Sequence, residues 1–510
     1  MKRTNTFSIM AALLLAGIST IVSCTKDDEQ PVEGKTYHMT VTASKGGDNT
    51  KDLTINGSTI SATWAEGETV TVYNVTKGAA LTGSLAAQSS GASTTLEGDL
   101  TGTIEAGDVL TLKFCSPDYS MQDGTLAYIA ENCDYAVATV TVASVAGGEI
   151  TASDAAFVNK QAIVKFSLMD SVSGTAIYAS ALSVSVGDTI YAAVPASDTN
   201  VLYVALPGIS GKQVTLSAKV GGQWYNKTQA GVTFVNGQYY TVAAKLAQKG
   251  MLPGTFSVSG TKKVHFSQGN LKYVNGIWSF HTNQYDCMGG TSHTVSNVGS
   301  TDLFGWVGAS STVLINAPEK YGVSTSRTDE DYGTNTSDTL KADWANLAIS
   351  NGGNTVNSGW HTLTGGDNNS SEWKYLFDYS RRTSTCYAKA TVAGKSGVIL
   401  FPDVYTHPTD LTALQSVNTS SAAYTTNNFD TADWAKMEAA GAVFLPAAGY
   451  RHKSSVNNVD KVGFYWSSSP ILSDTPSIYV YCVSLSSSVS LTYGNMRRRG
   501  CSVRLVCPVE

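Results

Sequence analysis

Along the first half of the chain, apolar and polar residues alternate one for one in short runs. These are TVTVYNV (69–75), YAVATVTVASV (135–145), AIVKFSL (162–168), LSVSV (182–186), NVLYVAL (200–206) and QVTLSAKV (213–220). A period of two belongs to strands with one face in a core, and the Gly, Asn and Asp between the runs supply turns. The pattern predicts antiparallel strands stacked as sandwiches. Asn236-Gly237, between VTFV and QYYTVAAKL, reads as a type I′ hairpin turn. No helical period is sustained in this half.

Beyond residue 250 the text changes. SEWKYLFDYS and TADWAKMEAAG read as short amphipathic helices, the second with Asp430 or Thr431 as N-cap and Gly441 just past its end. The remainder alternates as strands and loops, so this half is α+β. After Arg3 the next arginine is Arg327, and seven of the nine tryptophans follow residue 250. Two kinds of domain have been joined.

Composition narrows the function. Of 510 residues, 34 are basic and 40 acidic, a charged fraction of 15% against about 25% in an ordinary soluble domain. A nucleic-acid binder working through a basic face is excluded. Low charge with many β-branched and aromatic residues fits exposed sheet surfaces in an extracytoplasmic protein.

The N-terminus carries Lys2 and Arg3, an apolar stretch IMAALLLAGI, then small residues, the layout of a secretory signal. Ile21-Val22-Ser23-Cys24 resembles the lipobox at which bacterial lipoprotein signal peptidase leaves a diacylated cysteine, so residues 1–24 read as a lipoprotein signal and Cys24 as the lipidated residue. Acyl chains there would hold the protein to outer-membrane lipid without a spanning helix. Residues 25–36 form an acidic tether, in which Lys26, Asp27, Asp28 and Glu29 resemble the lipoprotein export signal of Bacteroidota. Without Lys2 and Arg3, 32 basic residues face 40 acidic ones, a net charge near −8 that favours no anionic partner.

ATWAEGETVTVYN, STTLEGDLTGTIEAGDVLTLKF, DAAFVNKQAIVKFSL and VTFVNGQYYTVAAKL resemble the fimbrillin-like proteins of Bacteroidota. The resemblance implies two transthyretin-like β-sandwiches, placed at residues 37–166 and 167–248, and a family of pilus subunits that polymerise by donor-strand exchange. Stalk members are matured by an arginine-specific protease that removes the first strand. No arginine lies between Arg3 and Arg327, so that route is closed: either another protease acts or the subunit keeps its first strand, and a terminal position, or no polymer, fits better than a stalk role. Trp64 reads as a core residue.

GTFSVSGTKKVHFSQGNLKYVNGIWSF, the stretch ending in Glu372-Trp373, GFYWSSSP and GCSVRLV resemble the Fibrobacter-type major paralogous domain, a C-type-lectin-like fold related to formylglycine-generating enzyme. Residues 249–510 are therefore expected to form such a domain, and the whole chain to be a mostly β multidomain protein. The oxidase activity of that relative needs a copper-binding cysteine pair after an Arg-Gly-Gly-Ser stretch, which this chain lacks. The tripeptides of calcium-dependent lectins are missing too, and the seven histidines show no zinc-ligand spacing. No enzyme activity, metal or other cofactor is expected.

A binding surface remains. In diversified relatives of this fold the ligand face runs from a Tyr-Trp-Ser core to a closing Ser-Val-Arg, here residues 466–504. Tyr479 and Tyr481 would share one strand face, and Tyr493, Asn495 and Arg498 lie in the same segment. Tyr, Ser and Asn suit adaptable recognition, because Tyr offers area at low entropic cost. Arg497-Arg498-Arg499 cannot all face one way, so at least one packs through its stem. Trp306, Trp373, Trp434 and Trp466 sit in core-like phrases and read as structural.

Seven cysteines remain besides Cys24. Cys115 and Cys133 are a feasible bridge, closing a loop of about 19 residues and worth on the order of 3 kcal/mol. Ser171, Thr189, Thr339 and Thr431 each follow Asp in a pattern resembling the O-glycosylation sequon of Bacteroidota. The expected whole is a lipid-anchored surface adhesin, a fimbrillin-like stalk presenting a lectin-like domain, as a pilus tip or accessory subunit. Its partners would be other fimbrillin-like subunits and an unknown host or bacterial protein or glycan, with no nucleic acid. The alternatives are a monomeric surface protein that captures glycan or protein and, remotely, a formylglycine-type oxidase.

Overall fold

The computed structural model describes residues 34–45, 54–115, 117–289, 300–306, 347–355, 359–367, 369–378, 380, 385–452, 455–471 and 479–509. Cys24, Lys26, Asp27, Asp28, Glu29 and Thr339 lie outside the described residues. The protein is mostly β, divided among several sheets.

The first unit is built by Lys35–Ser44 and the strands that follow it up to Val158–Asn159. Lys35–Ser44 pairs antiparallel with Ser93–Gly102 along its whole length, and parallel with Glu149–Ala152 on its other side. The ladder is thereby closed on itself, which removes the open edges a flat sheet would leave. Met39, Val41 and Ala43 alternate inward from this strand, and Trp64 is buried against them, edge-on to Phe114 and Phe157. The first strand is thus part of the core.

Residues 117–134 leave this unit and complete the next one. Met121–Gln122 pairs with Thr189–Ala193, and the Gln122 side chain bonds both the N–H and the carbonyl of Ala205. The helix Leu126–Asn132, which no sustained period announces, follows with the Thr125 hydroxyl as its N-cap. This excursion corrects the expected bridge. Cys133 is buried among Ile129, Tyr119, Ile163 and Ala205 of the second unit, whereas Cys115 is exposed at the end of the first, and no disulfide joins them.

The second unit pairs Gln161–Asp170 with Tyr239–Gln248 and Val201–Pro207 in one sheet, facing a second sheet of Ala181–Val186, Thr189–Ala193, Ile209–Val220 and Gln223–Phe234. Gln161–Asp170 lies wholly within it, so the division falls near Lys160, ahead of the expected boundary at 166. Asn236-Gly237 is not a type I′ hairpin. Gly237 has φ +77° while Asn236 is not among the positive-φ residues, and the flanking strands pair only at their far ends, through Tyr225 and Asn226. The turn carries the chain from one sheet to the other and leaves the sandwich open along that side.

The third unit is α+β. Its second strand, Lys263–Phe266, pairs antiparallel with the first, Phe256–Ser257, and with the last, Val506–Pro508, which ties its ends together. Four strands centred on Tyr387–Val392 and Lys395–Leu400 carry the helix Thr431–Ala439. Asp430 caps that helix by accepting from the N–H groups of Ala432 and Asp433. At the other end Gly441 (φ +97°) closes a Schellman motif, its N–H bonding the Glu438 carbonyl and that of Ala442 bonding Met437.

The second and third units share an interior. Trp224 of the second is buried in a cluster with Leu252, Phe256, Phe266 and Trp373 of the third. Ser183, Ser185, Ser217 and Asn226, the polar positions of alternating strands, are all buried. Ser183 Oγ donates to the Ala439 carbonyl at 2.7 Å, so the second unit satisfies an orphan carbonyl of the helix terminus. Lys219 Nζ meets Glu438 at 2.6 Å there, a cation beside the negative end of the helix dipole. From Glu438 a buried polar chain runs through Gln284 to Arg504.

His265 lies at this seam, its Nδ1–H donating to the Gly254 carbonyl at 2.9 Å. Burial lowers its pKa, outweighing that contact and the charge of Asp188. As pH falls below about 6.5 the unfolded chain therefore takes up the proton first. The stabilising contribution is complete above that pH and is lost on acidification. Urea unfolding between about pH 7.5 and about pH 5.5 is expected to show this loss, with a shallower pH slope in His265→Gln. Equal slopes would remove His265 from the account.

Candidate ligand face

The segment singled out in the sequence forms a three-stranded antiparallel sheet of Gly463–Pro470, Tyr479–Leu485 and Val489–Met496. Its inner side is fixed. Trp466 donates from Nε1 to the Phe304 carbonyl at 2.7 Å, and Trp306 donates to that of Ser467 at 2.9 Å. Trp306, Trp373, Trp434 and Trp466 are all fully buried, as their phrases suggested.

The arginines brace this frame. Arg497 is buried with its guanidinium 4.9 Å from the Trp306 ring centre, and Arg499 stacks 4.8 Å from Tyr450. Arg504 is buried among Gln284, Asn270 and the Phe444 carbonyl, and burial lowers it to about 10. Only Arg498 of the triplet is exposed.

On the outer side, Tyr479 is 41% exposed and Tyr481 half-buried, with Val480 and Cys482 turned into the core between and beyond them. Tyr481 stands beside Gly365, where a Cβ would come within 2.8 Å of its own. Burial, with the charge of Asp367 adding to it, raises the Tyr481 phenol above its ordinary range. Asp367, Met496 and Ile471 thus join the face: Met496 lies opposite Tyr479, and Ile471 fills the space left by Gly494, opposite Tyr481. Sequence reasoning missed these three, because strand register places Met496 and contacts between segments distant in sequence place Ile471 and Asp367.

Two residues of the expected set belong elsewhere. Asn495 is buried on the inner side, opposite Val480, and its side-chain amide donates to Cys501 Sγ at 3.4 Å. Tyr493 lies opposite Cys482, on the other face from Tyr479 and Tyr481, and packs on Phe464 with ring centres 5.3 Å apart. It is 39% exposed at the sheet margin. A register shift between Cys482 and Ser484 puts it there.

The seven described cysteines form no disulfide. Burial pushes Cys133 to about 12 and Cys287 to about 11, and raises Cys482 and Cys501 further. They are protonated thiols at neutral pH and pack as small apolar groups. Among the described residues no three His, Cys, Asp or Glu side chains converge as a metal site. Ser171, Thr189 and Thr431 are exposed, Ser171 in a turn held by Asp170 and Thr431 at the first position of its helix.

No family model matches the chain, and no curated protein matches it. Solved structures do. A "putative cell adhesion protein" from Bacteroides uniformis is 14% identical, covering 42% of this chain and 94% of that one, with a TM-score of 0.25. A fimbrial assembly protein from Parabacteroides distasonis is 11% identical, over 46% and 95%, at 0.23. Shaft pilin SpaA from Lactobacillus rhamnosus is 11% identical, over 43% and 100%, at 0.19. These likenesses are too slight to assign a function.

Proposed function

We propose that the chain is a lipid-anchored surface adhesin of the outer membrane, in which fimbrillin-like β-units carry a C-type-lectin-like domain that binds protein or glycan. The observation that carries this reading is the strand Tyr479–Leu485, which turns two tyrosines outward while its alternate residues lock into a core. Large, stiff side chains on a rigid strand offer contact area with little ordering cost. Pairing of Lys263–Phe266 with Val506–Pro508 ties the two ends of this domain together and gives the strand a stable frame.

Subunit partners would dock by strand addition on the second unit. Thr228–Phe234 and the facing part of Tyr239–Gln248 diverge over an apolar cavity of about 390 Å³ lined by Phe166, Leu216, Val232 and Val242. An added strand would fit such an opening by main-chain pairing. A first strand that no arginine-specific cleavage removes would suit a terminal or accessory subunit. A second reading, capture of soluble glycan by a monomer, is favoured by a cleft of about 480 Å³ at the seam of the second and third units, lined by Gln213, Thr215, Thr228, Lys249 and Trp360.

The test is a screen of the chain from residue 25 against host matrix proteins, bacterial surface proteins and glycans. Binding is expected to fall at least about tenfold in Tyr479→Ala/Tyr481→Ala, with unfolding stability nearly unchanged. A ligand held equally well by the double variant would move the site to the seam cleft. Silence of the folded protein across the arrays would contradict the adhesin reading.

A further inference from the structure

Lys45 follows the first strand and its side chain shows no surface to solvent. Its Nζ lies 3.1 Å from Glu68 Oε2 and 3.6 Å from Asp134 Oδ2. Phe114 and Trp64 enclose it, their ring centres 3.2 and 4.1 Å from Nζ. Asp134 is mostly shielded and its other oxygen accepts from Gln161 Nε2 at 3.4 Å. Glu68 also accepts the Ala65 N–H, which fixes its carboxylate beside the amine. A lone ion pair would normally sit where water can share the cost of its charges, because desolvating both often outweighs their attraction.

We infer that Lys45 and Asp134 condense into a side-chain amide bond, with Glu68 as the proton carrier. Within the enclosed pair one proton passes from the Lys45 ammonium to the Asp134 carboxylate, giving a neutral amine and a neutral acid. Burial favours this transfer, since it raises Asp134 above the usual carboxylate range despite the nearby Lys45. The Nζ lone pair then attacks Cγ of Asp134. Glu68 takes a proton from the nitrogen and returns it to the departing hydroxyl, so the Cγ–O bond breaks and water leaves. An ammonium and a carboxylate become an amide and one water, with no oxidant, reductant or activating group. Holding the two groups in contact supplies the proximity that a free amine and acid lack.

The bond would join the end of the first strand to the segment that returns from the second unit into Ala136–Ala146. Tension entering at residue 34 would then pass from Lys45 to Asp134 without loading the strands between them. Such a link suits a protein pulled between a membrane anchor and a bound ligand, although its chemistry stands whether or not that reading holds.

Intact-mass measurement of the purified, folded chain from residue 25 tests the inference, followed by peptide mapping. The expected mass is below the sequence mass by one water molecule, with a branched peptide joining Lys45 to Asp134. Asp134→Ala and Glu68→Gln are expected at their full sequence masses, each with the wild-type circular dichroism spectrum. A folded wild-type protein of full sequence mass overturns the inference, and so does a water loss mapped to any other pair. Condensation that persists in Glu68→Gln overturns the role given to Glu68. If a variant does not fold, the wild-type map decides alone.

Discussion

Trp224→Ala is expected to destabilise the second and third units together, by about 3–5 kcal/mol. The side chain belongs to a strand of the second unit, yet it is fully buried among Leu252, Phe256 and Trp373 of the third. Its backbone is held there as well, since its N–H donates to Gln268 Oε1 and its carbonyl accepts from the N–H groups of Lys249 and Gly250. Truncation leaves a cavity that neither unit can fill alone. Urea unfolding followed by the fluorescence of the tryptophans of the third unit should shift to lower denaturant. A shift confined to probes in the second unit would mean that the interior is not shared.

The second large effect lies at the seam's charge pair. Glu438 is 1% exposed and Lys219 14%, and Gln284 holds the other Glu438 oxygen. Burial depresses Lys219, but the charge of Glu438 more than compensates and leaves it above its ordinary range. Lys219→Met strands a buried carboxylate, and breaking a buried pair from one side costs about 3–5 kcal/mol. Lys219→Met/Glu438→Gln removes the stranded charge and should recover much of that loss. A single variant as stable as the wild type would show that the pair is solvated at the seam.

Much of the strand content was legible, because the alternating runs each have one face in a core. What the alternation could not tell is what covers the other face. LSVSV and QVTLSAKV read as half-solvated strands, but Ser183, Ser185 and Ser217 are small enough to pack closely under the third unit. A serine is compatible with water and with a buried acceptor alike, and only the neighbour decides. Asn236-Gly237 failed as a hairpin because the residues around it pair with different sheets, a long-range fact absent from the dipeptide.

The candidate face was legible in part for the same reason. Tyr479 and Tyr481 share a side by period alone. Tyr493 was lost to a single irregularity: from Leu485 paired with Val489, an unbroken ladder would set Tyr493 opposite Tyr481, and the shift between Cys482 and Ser484 turns it to the other side. Lys45, at the end of a strand, carries the sequence signal of a solvated terminus, and its burial by Trp64 and Phe114 is visible only in three dimensions.

The central claim is that the outward tyrosines are presented by one body made of the second and third units. Hydrogen exchange of the chain from residue 25, read by mass spectrometry across a urea series, tests it most directly. The account predicts that Ala181–Val186 and Ile209–Val220 lose protection at the same urea concentration as Val443–Pro446 and Tyr479–Leu485. Separate loss, with the third unit still protected after Ile209–Val220 has exchanged, would contradict it.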